Sequence, residues 1–185
     1  MPDRLAGAFP VADDGSGGTG FDTDSAMRCA NSRGRNQDQP AGLPQLRLIA
    51  LQLLTRRDHS RAELKAKLAP RAGCADDVDA VLDALQAERL LSDSRYASQR
   101  VTARAARYGD ARLRVELRQH GVGDDDIAAA LPVAGDEAAR CRSVWAKKFG
   151  VLPATAEERA RQMRFLQYRG FSGDAIRSVM RGDDA

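Results

Sequence analysis

From Pro44 onward, apolar residues recur at helical spacing along the chain. Leu46, Leu48, Ile49, Leu51, Leu53 and Leu54 predict a first helix ending at Arg56-Arg57. Ser60 with Glu63 three residues later has the pattern of a capping box, in which the serine oxygen accepts a first-turn amide and the glutamate reaches back. Leu64 and Leu68 then share a face at i, i+4 spacing, and Pro70 and Gly73 close that short helix. Asp76-Asp77 opens a third helix with Val78, Val81, Leu82 and Leu85 on its buried stripe.

The same sentence of helices is then repeated. Ser92-Asp93 caps a helix expected to run to about Arg107. Gly109-Asp110 starts a helix carrying Leu113 and Leu117, and Gly121 stops it. Asp124 to Asp126 opens a helix with Ile127 and Leu131 that Pro132 ends. Asp136-Glu137 opens a helix through Phe149, with Gly150 as its stop. Thr155 and Glu158 form a second capping-box pattern before the helix of Leu166, which Gly170 closes. Ser172 caps a last helix with Ile176, Val179 and Met180.

The period is 49 residues. It links Leu68, Leu117 and Leu166; Val78, Ile127 and Ile176; Leu82, Leu131 and Met180; and Tyr96 with Trp145. Gln162 stands where Leu64 and Leu113 predict an apolar residue, and Met163 and Phe165 are the expected substitutes for that contact. A fixed period means one supersecondary unit used several times. The fold class is therefore all-α: tandem three-helix repeats, each with a helix-turn-helix-like outline, spanning 44–91, 92–132 and 133–185.

Composition separates this body from residues 1–43. That segment holds 7 of the 16 glycines and 4 Arg against 6 Asp, without a run of large apolar residues. It is expected to be a disordered N-terminal extension, because it cannot bury enough apolar area to offset its ordering entropy. The remaining residues carry 25 basic and 20 acidic side chains. No stretch reaches the roughly 18 apolar residues of a membrane span, and no secretory signal opens the chain. Cys29, Cys74 and Cys141 are scattered, which fits a reduced, cytoplasmic protein without a disulfide framework or structural zinc.

No catalytic constellation stands out, so the chain is expected not to be an enzyme and to need no cofactor. A phosphate-binding G-x-x-x-x-G-K-[ST] loop is missing. His59 and His120 lack a Ser or Cys partner by motif, and both read as solvated helix-end histidines. Asp124 to Asp126 suits a helix dipole and lacks the spacing of a calcium loop.

Positive charge on helices is the stronger signal. Seven arginines lie between Arg95 and His120, against Asp110 and Glu116. Eight basic residues lie between Arg140 and Arg169, against Glu157 and Glu158. The contact candidates are Arg95, Arg100, Arg104, Arg107, Arg112, Arg114 and Arg118 in the middle repeat, with Lys147, Lys148, Arg161, Arg164 and Arg169 in the last. Arg100, Arg104 and Arg107 are expected on one helix face. Such faces attract phosphates or an acidic protein surface, although arginine also simply solvates Ala-rich helices. Aromatic residues are only 5%, which argues against base stacking as the main binding mode.

Residues 46–181 resemble the RecX family of bacterial regulators of the RecA recombinase. The resemblance is carried by Asp58-His59-Ser60-Arg61-Ala62-Glu63-Leu64 with Lys67-Leu68, and by Leu90-Leu91-Ser92-Asp93-Ser94-Arg95-Tyr96-Ala97. It continues through Gly109, Glu116-Leu117-Arg118-Gln119 and Gly121-Val122, then Arg164-Phe165-Leu166 and Arg169-Gly170-Phe171-Ser172 with Ile176. It implies an elongated, curved array; the chain is expected to be a monomer. It also implies a negative regulator that binds RecA–DNA filaments in the groove or at the growing end. Inhibition of ATPase, strand exchange and coprotease activities would follow, modulating DNA repair, recombination and the SOS response. Single- or double-stranded DNA is an implied further partner, and no membrane is. The alternative reading is a direct helix-turn-helix DNA-binding regulator. Two departures from the family pattern are the extension and the turn Ala69-Pro70-Arg71-Ala72-Gly73-Cys74, which replaces a more basic, aromatic-containing one and puts a binding role for that turn in doubt.

Overall fold

A computed structural model describes residues 41–182; the extension expected at 1–43 lies almost wholly outside them. Nine α-helices and two 3-10 turns occur among the described residues, with one isolated bridge between Ala41 and Ala72 and no strand. The helices are α1 Leu43–Leu54, α2 Arg61–Leu68, α3 Ala75–Ala87, α4 Asp93–Arg104, α5 Asp110–Gln119, α6 Asp124–Ala130, α7 Glu137–Lys148, α8 Ala156–Tyr168 and α9 Gly173–Arg181.

Three hydrophobic clusters correspond to three successive helix triplets. The 49-residue ladder is their common centre: Leu68, Leu117 and Leu166 are each buried, as are Val78, Ile127 and Ile176. Burying such a side chain contributes about 1.5–3 kcal/mol, so each small triplet depends on its few central residues. Gln162, the polar exception, is itself inside. Its Oε1 accepts a hydrogen bond from Trp145 Nε1 at 2.7 Å and its Nε2 donates to the Val151 carbonyl at 3.3 Å. Met163 and Phe165 are only partly buried against that cluster, so they accompany the glutamine rather than replace it.

The caps follow the sequence with one change. Ser92, Asp136, Thr155 and Ser172 each accept first-turn amides, and Thr155 with Glu158 forms the full reciprocal box. Ser60 accepts from the Glu63 amide, but the Glu63 carboxylate turns instead to Arg57 and to His59, whose Nδ1 is 3.2 Å away. Burial alone would raise the Glu63 pKa; the hydrogen bond from Arg57, with His59 adding, outweighs it and holds the carboxyl below its usual range. His59 is therefore a buried side chain, 3% exposed, and not a solvated one. His120 is half-buried with its ring edge-on to Tyr96 at 5.8 Å.

The junctions between triplets repeat with the same 49-residue step. Ser60 Oγ donates to the His120 carbonyl at 2.6 Å, and Gly109 N donates to the Arg169 carbonyl at 3.0 Å. The Arg71 carbonyl, one more step back, accepts from Ala41 N at 2.8 Å. The turn that departs from the family pattern thus holds the start of the helical body. At both inter-triplet junctions the first residue of the second helix is also served by a carboxylate from the triplet that follows. Asp93 accepts from Arg61 N at 2.7 Å and Glu137 accepts from Asp110 N at 2.8 Å. These amides would otherwise be unsatisfied helix-start donors. Close approach fixes the residue type: a Cβ on Gly170 (φ +81°) would lie 2.5 Å from the Arg112 Cβ, and one on Gly121 (φ +73°) 2.4 Å from the Ala62 Cβ.

Candidate functional site

The basic site is built on the α4–α5 hairpin. Arg100 and Arg104, four residues apart on α4, both reach Glu116 on α5: Arg100 Nε to Oε1 at 2.7 Å and Arg104 Nη2 to Oε2 at 3.2 Å. The helix ends at Arg104, short of Arg107, because residues 105–107 form a turn. Arg107 therefore leaves the face that its spacing predicted. That turn delivers Tyr108, half-buried, beneath three guanidinium groups. The ring centroid is 4.8 Å from the Arg104 carbon, 5.3 Å from that of Arg112 and 5.8 Å from that of Arg169. Such contacts are worth about 0.5–2 kcal/mol each and orient cations that would otherwise repel. Arg169 also stands over Phe165 at 4.8 Å and donates to the Arg107 carbonyl at 3.2 Å.

Two depressions open near Tyr108. The first is lined by Arg100, Arg104, Arg112, Glu116, His120 and Tyr168, with Ala111, Val115 and Gln119 beside them. The second joins the middle and last triplets through Arg107, Lys147, Lys148 and Arg169, with Ala106, Val144 and Phe165. Among the described residues, no carboxylate lines the second. Lys147 and Lys148 are exposed in the last turn of α7, where a cation also suits the helix end. Clustered cations with low-dielectric walls concentrate anions, so this pair of depressions can receive phosphates or acidic side chains.

Seven of the twelve predicted contact residues meet around these depressions. The other five do not. Arg95 is a clasp, bonded to Asp58 at 3.0 Å and to the carbonyls of Arg89 and Leu90. Arg114 and Arg118 are exposed farther along α5, and Arg118 pairs with Asp124 at 2.8 Å. That hydrogen bond lowers the Asp124 pKa and raises that of Arg118, but an exposed pair adds little stability. Arg161 and Arg164 are exposed on α8 and line neither depression.

Tyr108, Glu116, Tyr168 and Arg140 join the site only through the fold. Arg140 reaches from α7 back into the middle triplet, where Nη1 donates to the Tyr108 carbonyl at 2.8 Å and Nη2 pairs with Asp110. Its side chain is 11% exposed, so it fixes the hub and does not face a partner. The available signal for Tyr108 was an aromatic residue embedded among arginines.

Among the described residues, no group of three or more His, Cys, Asp or Glu side chains could hold a metal ion. Cys74 and Cys141 are unpaired. Burial pushes the Cys141 thiol up to about 12, which leaves it inert as a nucleophile at neutral pH. No helix among those residues is long and apolar enough to cross a membrane.

Models of the first, second and third three-helix domains of RecX match residues 47–85, 92–131 and 135–180. The chain belongs to the RecX family. It is 46% identical over 141 residues to the regulatory protein RecX of Ralstonia nicotianae, covering 76% of this chain and 89% of that protein. It is 49% identical over 141 residues to the regulatory protein RecX of Leptothrix cholodnii, covering 75% and 90%. The crystal structure of RecX from Lactobacillus salivarius matches with a TM-score of 0.66 at 19% identity, over 76% of this chain and 95% of that one, and shows the shared fold. This chain is a RecX-type regulator, and its basic hub lies where the second and third RecX domains meet.

Proposed function

We propose that this RecX-type chain is a cytoplasmic negative regulator of the RecA recombinase, acting without catalysis of its own. It binds RecA–DNA filaments in their groove or at their growing end. ATP hydrolysis, strand exchange and coprotease activity fall as a result, which modulates DNA repair, recombination and the SOS response. The working units are the repeats 44–91, 92–132 and 133–185, carried by a monomer.

The observation that supports this reading most is the carboxylate-free depression of Arg107, Lys147, Lys148 and Arg169 at a junction between repeats. A surface of that kind suits an acidic protein face or a phosphate backbone and needs no active site. A sequence-reading helix-turn-helix is less well supported, because α6 begins with Asp124, Asp125 and Asp126, which phosphates would repel. RecA ATP hydrolysis on single-stranded DNA, followed at stoichiometric amounts of this protein and at several salt concentrations, tests the proposal. Salt-sensitive inhibition is expected; unchanged hydrolysis would overturn it.

A further inference from the structure

Tyr168 is the last residue of α8 and is 83% exposed. A tyrosine this exposed offers the face of its ring, with a polar hydroxyl at the tip, to a ligand. The 49-residue period puts Gln119 at the equivalent place in the middle repeat, so the position is a surface one in the fold. Yet the ring borders the first depression, which Arg100, Arg104 and Arg112 line together with the half-exposed Val115. Glu116 is engaged by Arg100 and Arg104, while among the described residues the Arg112 guanidinium rests against the Tyr108 ring without a carboxylate partner, which leaves its donors for a ligand.

We infer that Tyr168 is a stacking platform for one unpaired base of single-stranded DNA, with the adjoining phosphates received by Arg112 and its neighbours. A flat apolar face beside a cationic rim matches a nucleotide: the base covers the ring and Val115, and the charge sits at the rim. A double helix keeps its bases stacked internally and cannot use the ring. The low overall aromatic content fits a single platform that adds preference for unpaired strand to a mainly electrostatic surface. The inference deepens the proposed function by naming what the first depression holds, and rests on that reading for its biological setting.

The test uses the full chain and no RecA. Binding is measured by fluorescence anisotropy on a thymidine oligonucleotide of about 15 nucleotides, on an abasic deoxyribose-phosphate oligomer of equal length, and on duplex DNA. Tyr168→Ala is expected to weaken binding to the thymidine oligomer by about 5-fold to 100-fold, and Tyr168→Phe to preserve it. On the abasic oligomer and on the duplex, wild type and Tyr168→Ala should bind alike. The ring is exposed, so the unfolding midpoint should not move. The inference is overturned if the wild type does not bind the thymidine oligomer, if Tyr168→Ala binds it as tightly as wild type, or if the variant loses equally on all three probes. Loss of filament inhibition is a separate readout. Tyr168→Ala that binds the thymidine oligomer normally beside intact inhibition removes this inference alone.

Discussion

Trp145 donates its indole N–H to Gln162 Oε1 across 2.7 Å, partly buried against the third hydrophobic cluster. In the middle repeat the equivalent pair is Tyr96 and Leu113, so the larger, N–H-bearing ring and its acceptor appear together. Substituting Gln162→Leu restores the apolar residue of the repeat but strands the indole donor. An unmet buried donor costs about 1–3 kcal/mol, so the urea midpoint should fall despite the gain in apolarity. Adding Trp145→Phe should recover part of that loss.

The repeat junctions predict a sharp glycine dependence. Gly170→Ala would place a methyl group against the Arg112 backbone at a left-handed φ, and should lower stability by about 2 kcal/mol or more. Gly123 is a helix N-cap with φ −67° and open space beyond it. Gly123→Ser should therefore be neutral or stabilising in the same thermal unfolding assay.

How much of this was legible in the sequence divides along local and long-range lines. Leucine periodicity, Pro and Gly stops and N-cap residues each act within a few positions, so the helices, the 49-residue step and all five side-chain caps follow from local sequence. His59 could not, because its burial comes from packing across a junction and not from its neighbours in the chain. Glu63 fits a capping box by spacing, yet Arg57 and His59 compete for its carboxylate and win. Arg100, Arg104 and Arg107 share a face only if the helix continues, and it stops at Arg104. Tyr108 meets Arg104 and Arg112 four residues either side of it, but Arg169 and Arg140 reach it from the last repeat, which spacing does not encode.

Acid should act through Glu63. Its folded pKa lies below the ordinary value, so its stabilising contribution is complete above the unfolded pKa and is lost as pH falls through the folded one. Stability measured between about pH 5 and pH 3 should decline, and Glu63→Gln should flatten part of that decline while lowering stability at neutral pH.

Alkali should act through Cys141. Its folded pKa is raised to about 12, so the unfolded thiol ionises first and stability falls as pH rises above about 8.5. Cys141→Ala should remove that component of the alkaline slope. At neutral pH a thiol reagent should modify the partly exposed Cys74 and spare Cys141 until the protein unfolds.

On the proposed function, RecA filaments are inhibited through the depression between the second and third repeats. Lys147 and Lys148 are its exposed, carboxylate-free cations, and their reversal leaves Tyr108, Glu116 and Arg140 untouched. The most direct measurement is RecA ATP hydrolysis on single-stranded DNA, titrated with wild type and with the Lys147→Glu, Lys148→Glu double variant. Inhibition by the wild type is expected, with at least about a fivefold higher concentration for half-inhibition by the variant and a gap that narrows as salt rises. Equal inhibition by both proteins, at equal helical content, would contradict it.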